Sequence, residues 1–283
     1  MQDKTVLITG GNSGIGKEAA IAIAKQGATV VIACRNEISA QQAVEDIKNA
    51  SGNTKVAFIK LDLASLQSVR NAAKQFKQQY KRLDVLLNNA GGAWATKQFS
   101  VDGFEYSFAT NHLGHFLLTN LLLDMLKQAP EGRIVNVSSE AHRMTRFDFE
   151  QQINPASYNQ WKTYGFTKLC NVLFTYHLAN KLSGTNVTVN AVHPGVVNTN
   201  FMKKLPGMLK TAASVAGSLF FLTPQKGAAP LVQLCTDPKL KGVTGKYFNR
   251  HKQAKSAQDS YNTQFQELLW QKSEEMADLK NNG

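Results

Sequence analysis

Cysteine is scarce: Cys34, Cys170 and Cys235 are the only three in 283 residues. They lie far apart, without a pair or a metal-ligand spacing, which excludes a disulfide scaffold and a cysteine-based metal site. No apolar run reaches the ~18–20 residues that a bilayer-spanning helix needs. Met1-Gln2-Asp3-Lys4 leads straight into a strand-like run, leaving no room for a signal peptide. These absences predict a reduced, cytoplasmic protein that touches membranes at most peripherally. Internal repeats, low-complexity linkers and composition breaks are missing too, so residues 1–283 read as a single domain.

Acidic residues are few. Twenty Asp and Glu against 32 Lys and Arg give a net charge of +12. Such a charge suits nucleic acid, anionic lipid or a phosphorylated ligand. The basic residues are dispersed, however, and the densest groups, Lys203-Lys204 and Lys239 to Lys252, are too dilute for a nucleic-acid arm. No nucleic-acid partner is expected. The 43% hydrophobic content suits a globular fold with a substantial core.

What is present is a strand–helix alternation. Residues 4–9 form a β-branched apolar run suited to a buried parallel strand. Gly10-Gly11-Asn12-Ser13-Gly14-Ile15-Gly16 follows, then a helical pattern from Lys17. A glycine-rich turn between strand and helix lets backbone N–H groups approach a pyrophosphate, and the helix N-terminus adds partial positive charge. The second strand, 28–33, ends in Cys34-Arg35-Asn36. An NAD site carries an acid here for the ribose 2′-hydroxyl. This chain has Arg35 instead, whose fork matches a 2′-phosphate, so the expected cofactor is NADP(H). Lys17 is placed either to assist or to face solvent.

Helix 38–50 leads to strand 56–61, closed by Asp62-Leu63. Asp62 is placed either to meet the adenine or, like Ser65, to cap the next helix, 65–80. Strand 83–87 runs into Asn88-Asn89-Ala90-Gly91-Gly92, small and amide residues at the same sheet edge. The helical run 104–127 contains Asn111, whose propensity favours hydrogen bonding over helix interior. It also contains His112 and His115, which no carboxylate or cysteine cluster supports as metal ligands; no metal is expected. Strand 133–137 ends in Ser138-Ser139, either of which is able to face a substrate. The stretch from Glu140 to Thr163, bearing Phe147, Phe149, Tyr158 and Trp161, is expected to fold over the rim of the site. In the helix 163–182, Tyr164 and Lys168 share one face, where an ammonium would lower the phenol's pKa toward the working range. Strand 187–192 precedes His193-Pro194-Gly195. Residues 196–223 are apolar and read as a lid over an apolar pocket, or as plain core packing. Helix 227–235, strand 245–248 and a helical tail, 260–279, complete the chain. The helices 104–127 and 163–182 are long enough to pair between subunits, so a homo-oligomer is possible.

The β-α alternation gives a single-domain, Rossmann-type, doubly wound parallel α/β sheet with helices on both faces. Thr9-Gly10-x-x-x-Gly14-x-Gly16, Asn88-Asn89-Ala90-Gly91, Asn111, Ser139, Tyr164-x-x-x-Lys168 and Pro194-Gly195 resemble, in order and spacing, the short-chain dehydrogenase/reductase family. Ala33-Cys34-Arg35-Asn36, Lys168 to Phe174, His193 to Val197 and Gly245 to Phe248 resemble its retinol dehydrogenase branch. The resemblance implies hydride transfer between NADP(H) and a small apolar alcohol or carbonyl, such as a retinal-like aldehyde. It makes Tyr164 the general acid and Lys168 the group that lowers its pKa and holds the nicotinamide ribose. Ser139 would bind the substrate oxygen and Asn111 a proton-relay water. The cofactor would be lined by Gly10, Asn12, Ser13, Gly14, Ile15, Gly16, Arg35, Asn36, Asp62, Leu63, Asn88, Ala90 and Gly91. Tyr164, Lys168, Pro194, Gly195, Val197 and Thr199 would complete the lining. The alternative is a nucleotide-binding scaffold or sensor without turnover. More distantly, the chain is similar to protochlorophyllide reductase, from which it departs at Gly91.

Overall fold

The computed structural model describes residues 1–155, 157–197 and 222–279. Its centre is a sheet of eight strands in the order β3-β2-β1-β4-β5-β6-β7-β8. The strands are β1 Thr5–Thr9, β2 Thr29–Cys34, β3 Val56–Lys60, β4 Val85–Asn88, β5 Gly132–Val137, β6 Val187–His193, β7 Lys246–Asn249 and β8 Lys252–Ala254. All neighbours run parallel except β7 and β8, which pair antiparallel. The short β8 carries no apolar signature and was not legible as a strand.

The central strands are buried on both sides because helices cover both faces. Val6, Ile8, Val30 and Ile32 face α1 (Gly14–Ala24), α2 (Glu37–Ser51) and a later helix, Pro224–Thr236. Leu7, Val31 and Leu86 face α3 (Leu66–Gln79) and the helices that follow β4 and α6 (Phe149–Ile153). β1 pairs with β2 on one side and β4 on the other, so the strand order reverses there. The crevice beyond the C-terminal ends of β1 and β4 is where such sheets bind ligands.

The single helix expected over 104–127 is broken into three. α4 (Tyr106–Phe108) is followed by a π-helical turn, Ala109–Leu113, and then α5 (Gly114–Gln128). Such a bulge re-aims side chains and is found at functional sites; here it carries Asn111. Gly114 is required because a Cβ there would stand 2.6 Å from the Leu63 carbonyl oxygen. Phe147 and Phe149, expected at the rim, are buried instead, with Phe147 5.8 Å from Phe166 and Phe149 5.8 Å from Phe108, ring centre to ring centre.

The Tyr164 helix is α7 (Gln160–Lys181), α8 is Pro224–Thr236, and the tail helix α9 is Thr263–Met276. Asn262 caps α9 through Gln264 and Phe265, so the tail helix starts later than the apolar spacing predicts. α9 lies across α5 and α7. Trp270 packs edge-on against Phe116 at 4.9 Å and stacks on His177 at 4.8 Å. Part of the surface of α5 and α7 is thus covered by the chain's own tail.

Candidate active site

The glycine turn is built for close approach. Gly10 has φ +66° and Gly14 φ +55°, values that favour glycine. A Cβ on Gly16 would sit 2.4 Å from the Gly10 carbonyl oxygen, so the turn closes against the helix only without one. Gly10 N–H donates to the Ala33 carbonyl at 2.8 Å, which holds the turn beside the end of β2. Ser13 is the N-cap of α1 but its side chain makes no capping hydrogen bond, whereas Asn36, Ser65 and Asn159 cap α2, α3 and α7. The N–H groups of α1 therefore face the cavity, with no acid in the first turn to oppose an anion.

That cavity, about 610 Å³, is lined by Gly10, Asn12 to Gly16, Ala90, Gly91, Ser139, Tyr164, Lys168, Pro194, Gly195 and Val197. Fourteen of the predicted site residues thus meet in one space. Asn89, read among the small and amide residues after β4, and Trp161, expected at the rim, also line it, as do Trp94, Met144 and His193, which the sequence did not single out. Trp94 and Met144 come from segments outside the main helices and strands, whose path no periodicity reveals, and His193 is the last residue of β6.

At the inner end, Tyr164 and the Ser139 side chain line the cavity together, where the serine hydroxyl favours the phenolate. Ser139 Oγ also accepts from Ala141 N–H at 3.2 Å. Ser138 is excluded from that role because its hydroxyl donates to the Lys168 carbonyl at 2.8 Å. Lys168 Nζ lies 5.5 Å from the centre of the Tyr164 ring and donates to the Val137 carbonyl at 3.1 Å. The expected lowering of the phenol does not emerge from the chain's own groups. Tyr164 keeps some exposure to the cavity but lies deep in the molecule, and burial pushes its phenol up to about 12, against the opposing effect of the Ser139 hydroxyl. Burial likewise pushes Lys168 down to about 8.

Several predicted residues stand elsewhere. Asn88 points into the protein, donating to Thr119 Oγ1 at 2.9 Å and Asn136 Oδ1 at 2.8 Å, because the last residue of β4 alternates inward. Leu63 is a core side chain packed beneath Gly114. Asp62 accepts from Ala64 N–H at 3.0 Å while Ser65 caps α3, so the capping role falls to the serine. Asn36 caps α2 and Arg35 lies exposed at the end of β2, both outside the cavity lining. Lys17 is held by Asp46 at 2.5 Å, which takes it away from a phosphate. Thr199 and most of the expected lid, residues 198–221, lie outside the described residues.

Asn111 is fully buried and its side chain is fully engaged. Its Nδ2 donates to the Gly92 carbonyl at 2.8 Å and to Thr167 Oγ1 at 2.9 Å. His115 Nδ1 lies 3.2 Å from the Asn111 carbonyl and its Nε2 2.9 Å from Thr9 Oγ1. Thr9 Oγ1 already accepts from Asn89 and Ala90 N–H, so its own proton goes to Nε2 and the ring carries its proton on Nδ1. His112 bridges Asn171 and Ser273. Both histidines are packed, hydrogen-bonded residues.

The short chain dehydrogenase family model matches residues 4–210. Retinol dehydrogenase 14 of Homo sapiens is 40% identical over 99% of this chain and 88% of its own length. Human polyprenol dehydrogenase is 41% identical, over 97% of this chain and 85% of its own. The chloroplastic short-chain dehydrogenase TIC 32 B of Brassica napus is 40% identical, over 97% and 88%. Among solved structures, a protein from Mycobacterium Paratuberculosis superposes with TM-score 0.79 at 31% identity, covering 98% of this chain and 94% of that one. A short chain dehydrogenase from Shigella flexneri complexed with NADP gives TM-score 0.69 at 26% identity, covering 89% and 98%. The cytoplasmic expectation falls here. A relative of this similarity is chloroplastic, so neither reduced cysteines nor the motif set assigns a compartment. Among the described residues no helix is long and apolar enough to cross a membrane. With its glycine turn, its Ser139–Tyr164 pair and Lys168 in one cavity, and with relatives of this similarity along nearly its whole length, the chain belongs to the short chain dehydrogenase family, oxidoreductases of alcohol and carbonyl groups.

Proposed function

We propose that this protein transfers hydride between NADP(H) and an apolar alcohol or carbonyl, with retinal-like aldehydes in its substrate class. The observation that carries the reading is the meeting of Ser139, Tyr164 and Lys168 in the same cavity as the glycine turn. NADP(H) is favoured by Arg35 at the end of β2, where an acid for the 2′-hydroxyl is absent. An apolar substrate is favoured by Trp94, Met144, Trp161 and Val196 in the cavity wall, and by the names of relatives that act on retinol and polyprenol.

The close Gly10–Gly16 turn and the uncapped start of α1 fit a dinucleotide pyrophosphate. Such a cofactor supplies or takes up the hydride. The chain's own residues handle the oxygen. Ser139 holds it, and Tyr164 gives the proton in reduction or removes it in oxidation. Lys168, carrying its charge near neutral pH, stabilises negative charge on the phenol as the proton leaves. Asn111 fixes Gly91 and Gly92 under the site.

Titration with NADPH and NADH, followed by a panel of apolar aldehydes including retinal, tests the reading. Turnover is expected with NADPH. In Tyr164→Phe it is expected to fall by about 10²–10⁴-fold while NADPH still binds. Tight NADPH binding without turnover across the panel would favour a sensor instead.

A further inference from the structure

Arg35 is exposed but not free to swing. Its Nη1 donates to the Tyr106 hydroxyl at 2.6 Å, across 71 positions of sequence. Tyr106 is held in turn. Its N–H donates to the Gln98 carbonyl at 2.9 Å, and Thr110 Oγ1 donates to its own carbonyl at 2.7 Å. Its ring packs edge-on against Trp94, with centroids 4.9 Å apart and planes at 77°. Trp94 is a wall of the reaction cavity, and its carbonyl accepts from the Tyr158 hydroxyl at 2.8 Å. The guanidinium is thus moored to a stack rooted in the cavity wall.

The chemistry of the mooring matters. Lys17, the cation in the first turn of α1, is held by the carboxylate of Asp46 and so is neutralised as a phosphate ligand. Arg35 is held by a neutral phenol, which fixes its direction and leaves its charge whole. A guanidinium has five N–H donors in a rigid fork, and one on Tyr106 leaves the rest available for an anion. An exposed arginine otherwise loses much rotamer freedom when it grips a phosphate, and fixing it beforehand removes part of that cost.

We propose that Tyr106 is a positioning residue for cofactor selectivity: it orients Arg35 toward the 2′-phosphate, so that preference for NADP(H) over NAD(H) belongs to the Arg35–Tyr106 pair. This rests on the NADP(H) reading above. The probes are NADPH, NADH and adenosine 2′,5′-bisphosphate, titrated against the full-length protein by fluorescence or calorimetry, without any substrate. Tyr106→Phe keeps the ring on Trp94 and removes only the hydroxyl, so the fold is expected to stay intact, as a thermal melt will check.

Tyr106→Phe is expected to weaken NADPH and the bisphosphate by about three- to tenfold, the worth of one hydrogen bond, and to leave NADH unchanged. Arg35→Ala is expected to erase the preference, and adding Tyr106→Phe to it is expected to change nothing further. Equal weakening of NADPH and NADH in Tyr106→Phe, or no weakening of NADPH while Arg35→Ala abolishes the preference, overturns the role of Tyr106 alone. If Arg35→Ala leaves the preference intact, the assignment of Arg35 to the 2′-phosphate fails, and the pair fails with it.

Discussion

Asn111 clasps Gly92 at both ends of its amide: its Oδ1 accepts from the Gly92 N–H at 2.9 Å and its Nδ2 donates to the Gly92 carbonyl at 2.8 Å. Gly91, the neighbour, has φ +157° and no space for a Cβ, which would lie 2.6 Å from Asn111 Oδ1. A residue of α-helical pattern thereby acts as a template for the loop after β4. Asn111→Ala strands the part-buried Gly92 N–H and carbonyl; unpaired groups cost roughly 1–3 kcal/mol each when buried, toward the lower end at a cavity wall. A loss of about 2–4 kcal/mol in urea unfolding is expected, together with weaker cofactor binding. An unchanged Kd for NADPH would mean that the loop does not need its template.

The glycine turn is equally intolerant. Gly16→Ala places a methyl 2.4 Å from the Gly10 carbonyl oxygen and 2.5 Å from Asn89 Nδ2. Backbone must shift to admit it, and the cradle opens. NADPH affinity measured by fluorescence is expected to fall by at least about 100-fold, roughly 2.7 kcal/mol. Gly52→Ala, in a left-handed cap with nothing within 4 Å, serves as the control, with stability lowered slightly and affinity kept.

Burial holds three histidines neutral, His112 and His193 down to about 4 and His115 to about 3. Each has a folded pKa below its unfolded value near 6.5. Between these limits the unfolded chain binds more protons than the folded one, so stability falls as pH drops from 6.5 toward 4. Each fully buried ring contributes on the order of 3 kcal/mol to that loss. Urea midpoints measured from pH 7.5 to 4.5 should fall, less steeply in His115→Asn than in the parent.

Lys168 acts in the same direction on the alkaline side. Its folded value of about 8 lies below the unfolded 10.5. Stability is therefore expected to gain from this group as pH rises from 8 toward 10.5, because the buried charge is lost. Comparison of Lys168→Met with the parent over pH 7–10 reads that slope. A parallel pair of curves would show the lysine to be better solvated than its burial implies.

The tail helix governs the α5–α7 face. Trp270 is buried against Phe116, Phe174 and His177, so Trp270→Ala is expected to cost about 3–5 kcal/mol. The intact chain should elute as a monomer through this face, and Trp270→Ala should show increased self-association by light scattering. A parent dimer that dissociates on loss of Trp270 would contradict the covering role.

The order of strands and helices and the glycine turn were determined by sequence alone, because both are local: buried parallel strands need unbroken apolar runs, and a tight βα turn needs glycine at fixed offsets. Gly10 to Gly16, Tyr164 and Lys168 were legible for the same reason, sitting directly after a strand or on one helix face, whereas the residues after β5 offered Ser138 and Ser139 alike and only the family resemblance pointed to the second. Only the tertiary structure decided between neighbours. Asn88 turned inward and Asn89 outward, Ser138 went to backbone and Ser139 to the phenol, and Asp62 ceded the cap to Ser65. Those choices depend on which strand or helix packs alongside, as do the π turn at Asn111, the Phe147–Phe166 contact and the tail over α5 and α7. Long-range packing energies of that kind leave no periodic trace in the chain that makes them.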